Sequence, residues 1–212
     1  MALVQAAVDV LELKKGKAVA DMAVCKGADI IEVGTGLLFK YGFDAIKEIR
    51  KTVGDRARII ADYKYAAGMG LVGYVKDAGA DMILLTAGYK DFLVEATVNE
   101  SLKDEITPVF DLFINHKDIE KRVPQLVSIG ADHLFIHHYE PLWDAGGAYG
   151  TIDSLSEIRK LNLDVKVDVT SDDFSEARDA VEKGADIITF GVVLKDLNEE
   201  ECERWIRMIH QS

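Results

Sequence analysis

Two cysteines and three prolines in 212 residues, too few basic side chains to balance the acidic ones, and no long apolar run set the first limits on this chain. Cys25 and Cys202 lie near opposite ends, and neither has a CxxC partner or a His-rich neighbourhood. That spacing argues against a metal or redox site built on thiols, and reduced cysteines in a cytoplasmic protein are the expectation. Lys and Arg number 25 against 37 Asp and Glu, a formal net charge of -12. Nucleic acid and anionic membranes both reward basic side chains, so neither is expected as a partner. Small anionic substrates stay open, since a basic pocket can sit inside an acidic protein. No apolar run reaches the ~18 residues of a bilayer span. The stretch from Met1 to Asp9 starts without a basic residue and meets an acid, so no signal peptide is expected either. What the chain does have is 49% apolar and 29% charged residues, the balance of a globular domain with a large core.

Repetition organises the rest. The triplet Gly-Ala-Asp followed by an apolar run occurs four times, at Gly27, Gly79, Gly130 and Gly184. The runs are IIEVG, MILLT, HLFIHH and IITFG, short and without clear polar alternation, as strands buried on both faces of a parallel sheet should be. A glycine just before each run suits the end of a helix, where positive φ is wanted. Four further strands interleave with these, at Leu3–Val10, Arg58–Lys64, Thr107–Phe113 and Val165–Thr170. Between strands lie amphipathic patterns, among them Phe43–Val53, Lys117–Gly130 and Phe174–Gly184, with apolar residues recurring at three and four. Eight alternating βα units in so short a chain predict a single-domain (β/α)₈ TIM barrel, with a doubly wound open sheet as the alternative.

In such a barrel function sits at the C-terminal ends of the strands. Those ends carry Asp9, Glu32 before Gly34, Asp62-Tyr63-Lys64, Asp111, His137-His138, then Lys166, Asp168 and Thr170, and finally Gly191. Singly each has an ordinary explanation as a cap or a satisfied core residue; a barrel brings them to one mouth. Glu32 and Asp62 make an oxygen-rich pair suited to Mg²⁺. Asp62 and Lys64, two apart on a strand, should point to the same side and hold each other charged. His137 across the mouth is the candidate for moving a proton near neutral pH. Together these groups are equipped to form and protonate an enolate or enediolate.

The strand ends resemble the orotidine 5′-monophosphate decarboxylase superfamily, and within it the group of hexulose-6-phosphate synthase and 3-keto-L-gulonate-6-phosphate decarboxylase. The resemblance rests on Ala7-Val8-Asp9, Ile30-Ile31-Glu32-Val33-Gly34-Thr35, Ala61-Asp62-Tyr63-Lys64, Phe135-Ile136-His137 and Ala145-Gly146-Gly147. It implies a carbon–carbon lyase of the aldolase or decarboxylase type acting on a sugar phosphate through a Mg²⁺-stabilised enediolate. It further implies Glu32 and Asp62 as metal ligands, Lys64 beside the substrate oxygens, His137 as proton-transfer residue, Asp9 and Asp111 on the sugar, and a homodimer; Thr35 is a substrate-binding candidate beside them. Asp168, Thr170, Gly191 and Val192, at the ends of strands seven and eight, are the further substrate-binding candidates.

Departures from the family pattern matter as much. An acid usual after the D-x-K is replaced by Tyr65-Ala66-Ala67-Gly68. Asp168-Val169-Thr170 stands where the family has a small, Gly-rich turn for phosphate, and Val192 follows Gly191 where many members have Arg. The backbone near Gly191, the hydroxyls of Thr170 and Ser171, and Lys195 remain available to a phosphate, while Asp168, Asp172 and Asp173 oppose it. Lys166 and Asp168 alternate on strand seven, either as an interior ion pair or as new site residues. These departures leave open a related enzyme with a different, unphosphorylated substrate, or a binding barrel without turnover. Gly68-Met69-Gly70-Leu71-Val72-Gly73 matches a dinucleotide fingerprint, but without the strand and acid placement that motif needs. His133 and His137 are four apart, yet a strand would put them at opposite ends. Trp143 and Tyr149 read equally as a lid or as anchors of an ordinary loop.

Overall fold

The computed structural model of the protein describes residues 1–65, 70–112, 118–137, 151–196 and 198–212, without the side chains of Tyr65, Val192 and Val193. Its elements run β1 (Leu3–Val8), α1 (Leu13–Lys26), β2 (Ile30–Val33), α2 (Thr35–Tyr41), α3 (Phe43–Val53), β3 (Arg58–Tyr65), α4 (Leu71–Asp77), β4 (Met82–Thr86) and α5 (Asp91–Lys103). They continue with β5 (Thr107–Asp111), α6 (Ile119–Ser128), β6 (His133–Ile136), α7 (Thr151–Lys160), β7 (Lys166–Thr170), α8 (Phe174–Glu182), β8 (Ile187–Phe190), a 3₁₀ turn (Val192–Asp196) and α9 (Glu199–Gln211). All strands are parallel and pair in chain order, and β8 closes on β1. The predicted (β/α)₈ barrel is therefore the fold, and the open sheet is excluded. Most differences from the expected elements are shorter ends: β1 stops at Val8, β5 at Asp111 and α8 at Glu182. Phe113 and Lys117 lie outside the described residues, as do His138, Trp143, Tyr149, the 145–147 stretch and Gly68-Met69 of the glycine motif. No helix among the described residues is long and apolar enough to cross a membrane.

The Gly-Ala-Asp triplet explains itself physically. All four glycines have φ between 92 and 105°, the left-handed conformation that ends a helix without a Cβ penalty. In three of the four, the aspartate that follows ties its strand to the one before. Asp29 Oδ2 accepts the N–H of Val4 at 2.8 Å, Asp81 Oδ2 that of Ile59 at 2.8 Å and Asp186 Oδ2 that of Val167 at 2.7 Å. Each of these carboxylates also meets a cationic or imidazole partner: His210 on Asp29 at 2.9 Å, Arg50 on Asp81, and Arg159 on Asp186 at 2.6 Å. The clamp recurs on the β1–β2, β3–β4 and β7–β8 seams.

Inside the barrel, Leu3, Ile30, Ile60, Met82, Leu84, Val109, Phe135 and Ile187 form an apolar plug separate from the larger core between strands and helices. Side chains two apart on a strand share a face. Stepping two residues from the plug toward the C-terminal ends reaches Gln5, Glu32, Asp62, Asp111, His137 and Thr189. The plug thus forms the floor of a polar chamber. His133, opening β6 at the far end, is buried, and burial pushes its imidazole down to about 4. Its distance along the strand from His137 rules out a shared metal.

At the rim, β1 and β2 approach so closely that only glycine fits at position 34. A Cβ there would fall 2.2 Å from Asp9 Oδ1 and 2.8 Å from the Val8 carbonyl oxygen. Gly34→Ala should therefore destabilise the barrel by about 1–3 kcal/mol. Thermal unfolding checks this through a melting point several degrees lower; an unchanged one would contradict the tight packing.

Candidate active site

Strand β3 does not end regularly. Asp62 pairs with Leu84 and Tyr65 with Leu85, so Tyr63 and Lys64 are squeezed out as a bulge. Lys64 takes φ 46°, a left-handed conformation that costs a residue with a Cβ roughly 1–2 kcal/mol. That strain is used: Lys64 Nζ donates to Asp62 Oδ2 at 2.5 Å, and Thr35 Oγ1, at the start of α2, donates to the same oxygen at 2.6 Å. The other oxygen, Asp62 Oδ1, is buried and accepts no hydrogen bond from the described residues. The D-x-K pair predicted from alternation is present, but a bulge rather than a regular strand makes it. Thr35, a substrate-binding candidate from the sequence, donates to Asp62 at the edge of the same mouth.

Charge at the mouth is lopsided. Burial, followed by the neighbouring Asp62 and Asp9 carboxylates, holds Glu32 well above the ordinary range, against the pull of Lys64 and a hydrogen bond from Gln5. Asp9 reaches solvent at the rim, yet enclosure by protein and the charge of Asp62 raise it too, while Lys64 and Lys195 pull it down and Asp172 pushes it up. Burial alone would lower Lys64, but Asp62, Glu32 and Asp111 outweigh it and leave the ammonium more firmly charged. Across the mouth, His137 Nδ1 stands 3.7 Å from Asp111 Oδ2, an ion-pair distance once the imidazole is protonated. Asp9, Glu32, Asp62, Lys64, Asp111 and His137 therefore converge, as expected. Among the described residues no three His, Cys, Asp or Glu side chains form a ready-made metal cage.

Strand β7 differs from expectation. Lys166 is exposed at the start of the strand and makes no interior pair with Asp168. Asp168 is fully buried and in register with Phe135 and Ile187 of the plug, one layer below the mouth. Thr189 Oγ1 donates to Asp168 Oδ1 at 2.8 Å. Burial nevertheless pushes the carboxyl up to about 8, with Thr189 and the Val169 backbone opposing the shift. Thr170 reaches the rim, half-buried, with Gly191 buried beside β1. The Gly191 N–H donates to Asp172 Oδ1 at 3.0 Å. The Val192 side chain lies outside the described residues.

Sequence reasoning missed two polar residues of the chamber, Gln5 and Thr189. Gln5 Nε2 donates to Glu32 Oε2 at 2.8 Å, and both residues are buried. A polar residue at period two from Leu3, inside an otherwise apolar strand, was the available signal for Gln5; Thr189 in IITFG offered the same one.

Known proteins resemble this chain along its length. No protein-family model matches it. The 3-hexulose-6-phosphate synthase of Bacillus subtilis is 31% identical over 110 residues, spanning about half of each chain (51% of both). The enzyme of that name from Staphylococcus haemolyticus is 28% identical over 167 residues, 78% of this chain and 77% of its own. The crystal structure of 3-hexulose-6-phosphate synthase from Salmonella typhimurium superposes with a TM-score of 0.87 at 25% identity, covering 99% of both chains. That of 3-keto-L-gulonate-6-phosphate decarboxylase from Vibrio cholerae shares the fold, with a TM-score of 0.79 at 23% identity over 99% of this chain and 98% of its own.

The buried Asp168 has a consequence for stability. Its folded value of about 8 lies above the ordinary 3.8, so between these the folded state keeps a proton that the unfolded state has released. Stability attributable to this group falls as pH rises through that window, by up to about 1.4 kcal/mol per pH unit, and levels off above it. Urea unfolding of Asp168→Asn against the unsubstituted chain should show the variant gaining relative stability from pH 5 to pH 8. A difference independent of pH would mean that Asp168 is ionised in the fold.

Proposed function

We propose that this chain condenses or cleaves a ketose phosphate through an enediolate, in the manner of the 3-hexulose-6-phosphate synthases it resembles over most of its length. At the coarser level the chain is a carbon–carbon lyase. The observation that carries the finer reading is the strained Lys64–Asp62 pair, facing Glu32 on one side with His137 and Asp111 across the mouth.

In the condensing direction, His137 takes a proton from the substrate carbon beside the carbonyl, and the electrons left behind make the enediolate. Lys64, its charge fixed by Asp62 and Glu32, places a full positive charge where negative charge develops on the substrate oxygens. The enediolate carbon bonds to the aldehyde carbon, and the new alkoxide takes up a proton, which protonated His137 can return. Asp111 steadies the imidazolium in between. Asp9, at the rim, is placed to accept hydrogen bonds from sugar hydroxyls. The apolar plug closes the chamber from below, so these charges act on the substrate with little water between them.

Mg²⁺ belongs to the same reading. Glu32 and Asp62 would hold it: Asp62 Oδ1 is a buried carboxylate oxygen without a hydrogen bond from the described residues, and Glu32 is penalised by its like-charged neighbours. Two carboxylates suit Mg²⁺, which commonly keeps water and substrate oxygens for its remaining positions. When bound, the ion would polarise the substrate carbonyl.

A homodimer also belongs to this reading. Phe39 on α2 and Tyr74 on α4 are 87% and 63% exposed, and Tyr74 stacks on Phe43 of α3. Leu11 lies nearby, against Gly36. Apolar groups gathered on one side of a barrel mark a docking face. Phe39→Asp should convert a dimer to a monomer in sedimentation velocity; a monomer before substitution would count against this part.

The activity is tested with Mg²⁺, ribulose 5-phosphate and formaldehyde, by looking for hexulose phosphate and for solvent exchange of the ketose C1 proton. Both should be present, should stop with a chelator, and should fall about 10³-fold or more in Lys64→Ala while the fold persists. Absence of both product and exchange would remove the enediolate reading.

A further inference from the structure

At the end of β8, the Gly191 N–H is taken by the chain's own Asp172, whose Oδ1 accepts it at 3.0 Å from the loop after β7. In (β/α)₈ barrels the loops after strands seven and eight are where a substrate phosphate is most often held, by backbone N–H groups and cations. Here an internal carboxylate occupies that place instead. Asp9 adds to it from β1: a Cβ built on Gly191 would stand 3.7 Å from Asp9 Oδ2 and 3.1 Å from Ala7 Cβ. The surroundings of Gly191 are thus closely packed and anionic on two sides. Lys195, on the following 3₁₀ turn, is exposed and already near the Asp9 charge.

We propose that Asp172 is a specificity-determining residue: an internal anion that competes with a substrate phosphate at Gly191, so that this barrel accepts unphosphorylated ketoses nearly as well as their phosphates. This rests on the lyase reading for the word substrate, but the competition itself is a property of binding. A neutral hydroxyl can approach Gly191 and Asp172 together, donating to the carboxylate. A phosphate dianion must displace the carboxylate and sit beside two like charges. Asp172 is exposed, so it can be changed without opening the core.

Inorganic phosphate, titrated calorimetrically, tests the competition without turnover. Asp172→Asn keeps an acceptor for the Gly191 N–H and removes the charge; Asp172→Gly removes both. Each variant, folded by circular dichroism, should bind phosphate at least tenfold more tightly than the unsubstituted chain. Equal affinity within twofold, or tighter binding by the unsubstituted chain, would overturn the proposal. The second arm compares C1 proton exchange of ribulose and ribulose 5-phosphate. The preference for the phosphate should be within threefold before substitution and rise at least tenfold in Asp172→Asn; a strong preference already present before substitution would also overturn it. Absence of exchange with either sugar in every form defeats the lyase reading alone, and the phosphate titration still decides the role of Asp172.

Discussion

The contact between Lys64 and Asp62 is the constraint on which the rest of the mouth depends. It is made at a bulge in β3, with Lys64 in a left-handed backbone, a conformation normally left to glycine. Strain held at a site of converging charge is a common mark of function. Its compensation here is visible: a short charged hydrogen bond, a second donor from Thr35, and a field from Glu32 and Asp111 that keeps the lysine positive.

Around that contact the fold supplies rigidity from below. The plug of Ile30, Ile60, Met82, Leu84, Val109, Phe135 and Ile187 fills the barrel and leaves a polar chamber above it. Asp29, Asp81 and Asp186 of the Gly-Ala-Asp triplets clamp strands at their other ends, away from the mouth. Stability and function are thus divided between the two ends of the barrel. Asp168 crosses that division. It is a carboxyl placed at plug level, neutral over much of the physiological range because burial outweighs its hydrogen bond from Thr189.

Much of this was legible in the sequence, for identifiable reasons. Parallel strands buried on both faces read as apolar runs, and the left-handed glycines before them mark helix ends, so the barrel followed from the triplet and its spacing. Asp9, Glu32, Asp62, Lys64, Asp111 and His137 were legible because a barrel must bring strand ends together. What local pattern cannot carry was missed. The bulge depends on pairing between β3 and β4, and neither Asp62 nor Lys64 announces it. Lys166 and Asp168 obey the same alternation, yet one lies in solvent and the other in the plug, because Lys166 opens the strand level with His133 while Asp168 sits further in, level with Phe135. Thr35 and Asp172 act on partners 27 and 19 residues away, which no short motif encodes.

In the function proposed above, the excess of buried carboxylate, steadied by Lys64, would meet a divalent cation and a developing oxyanion. Carbon-detected NMR titration of the Glu32 carboxyl, with and without Mg²⁺, tests it most directly. Glu32 should titrate well above the ordinary carboxylate range alone and move down when Mg²⁺ is added, with Asp62→Asn abolishing the change. An ordinary titration in both conditions, or a raised one that Mg²⁺ leaves where it was, would contradict it.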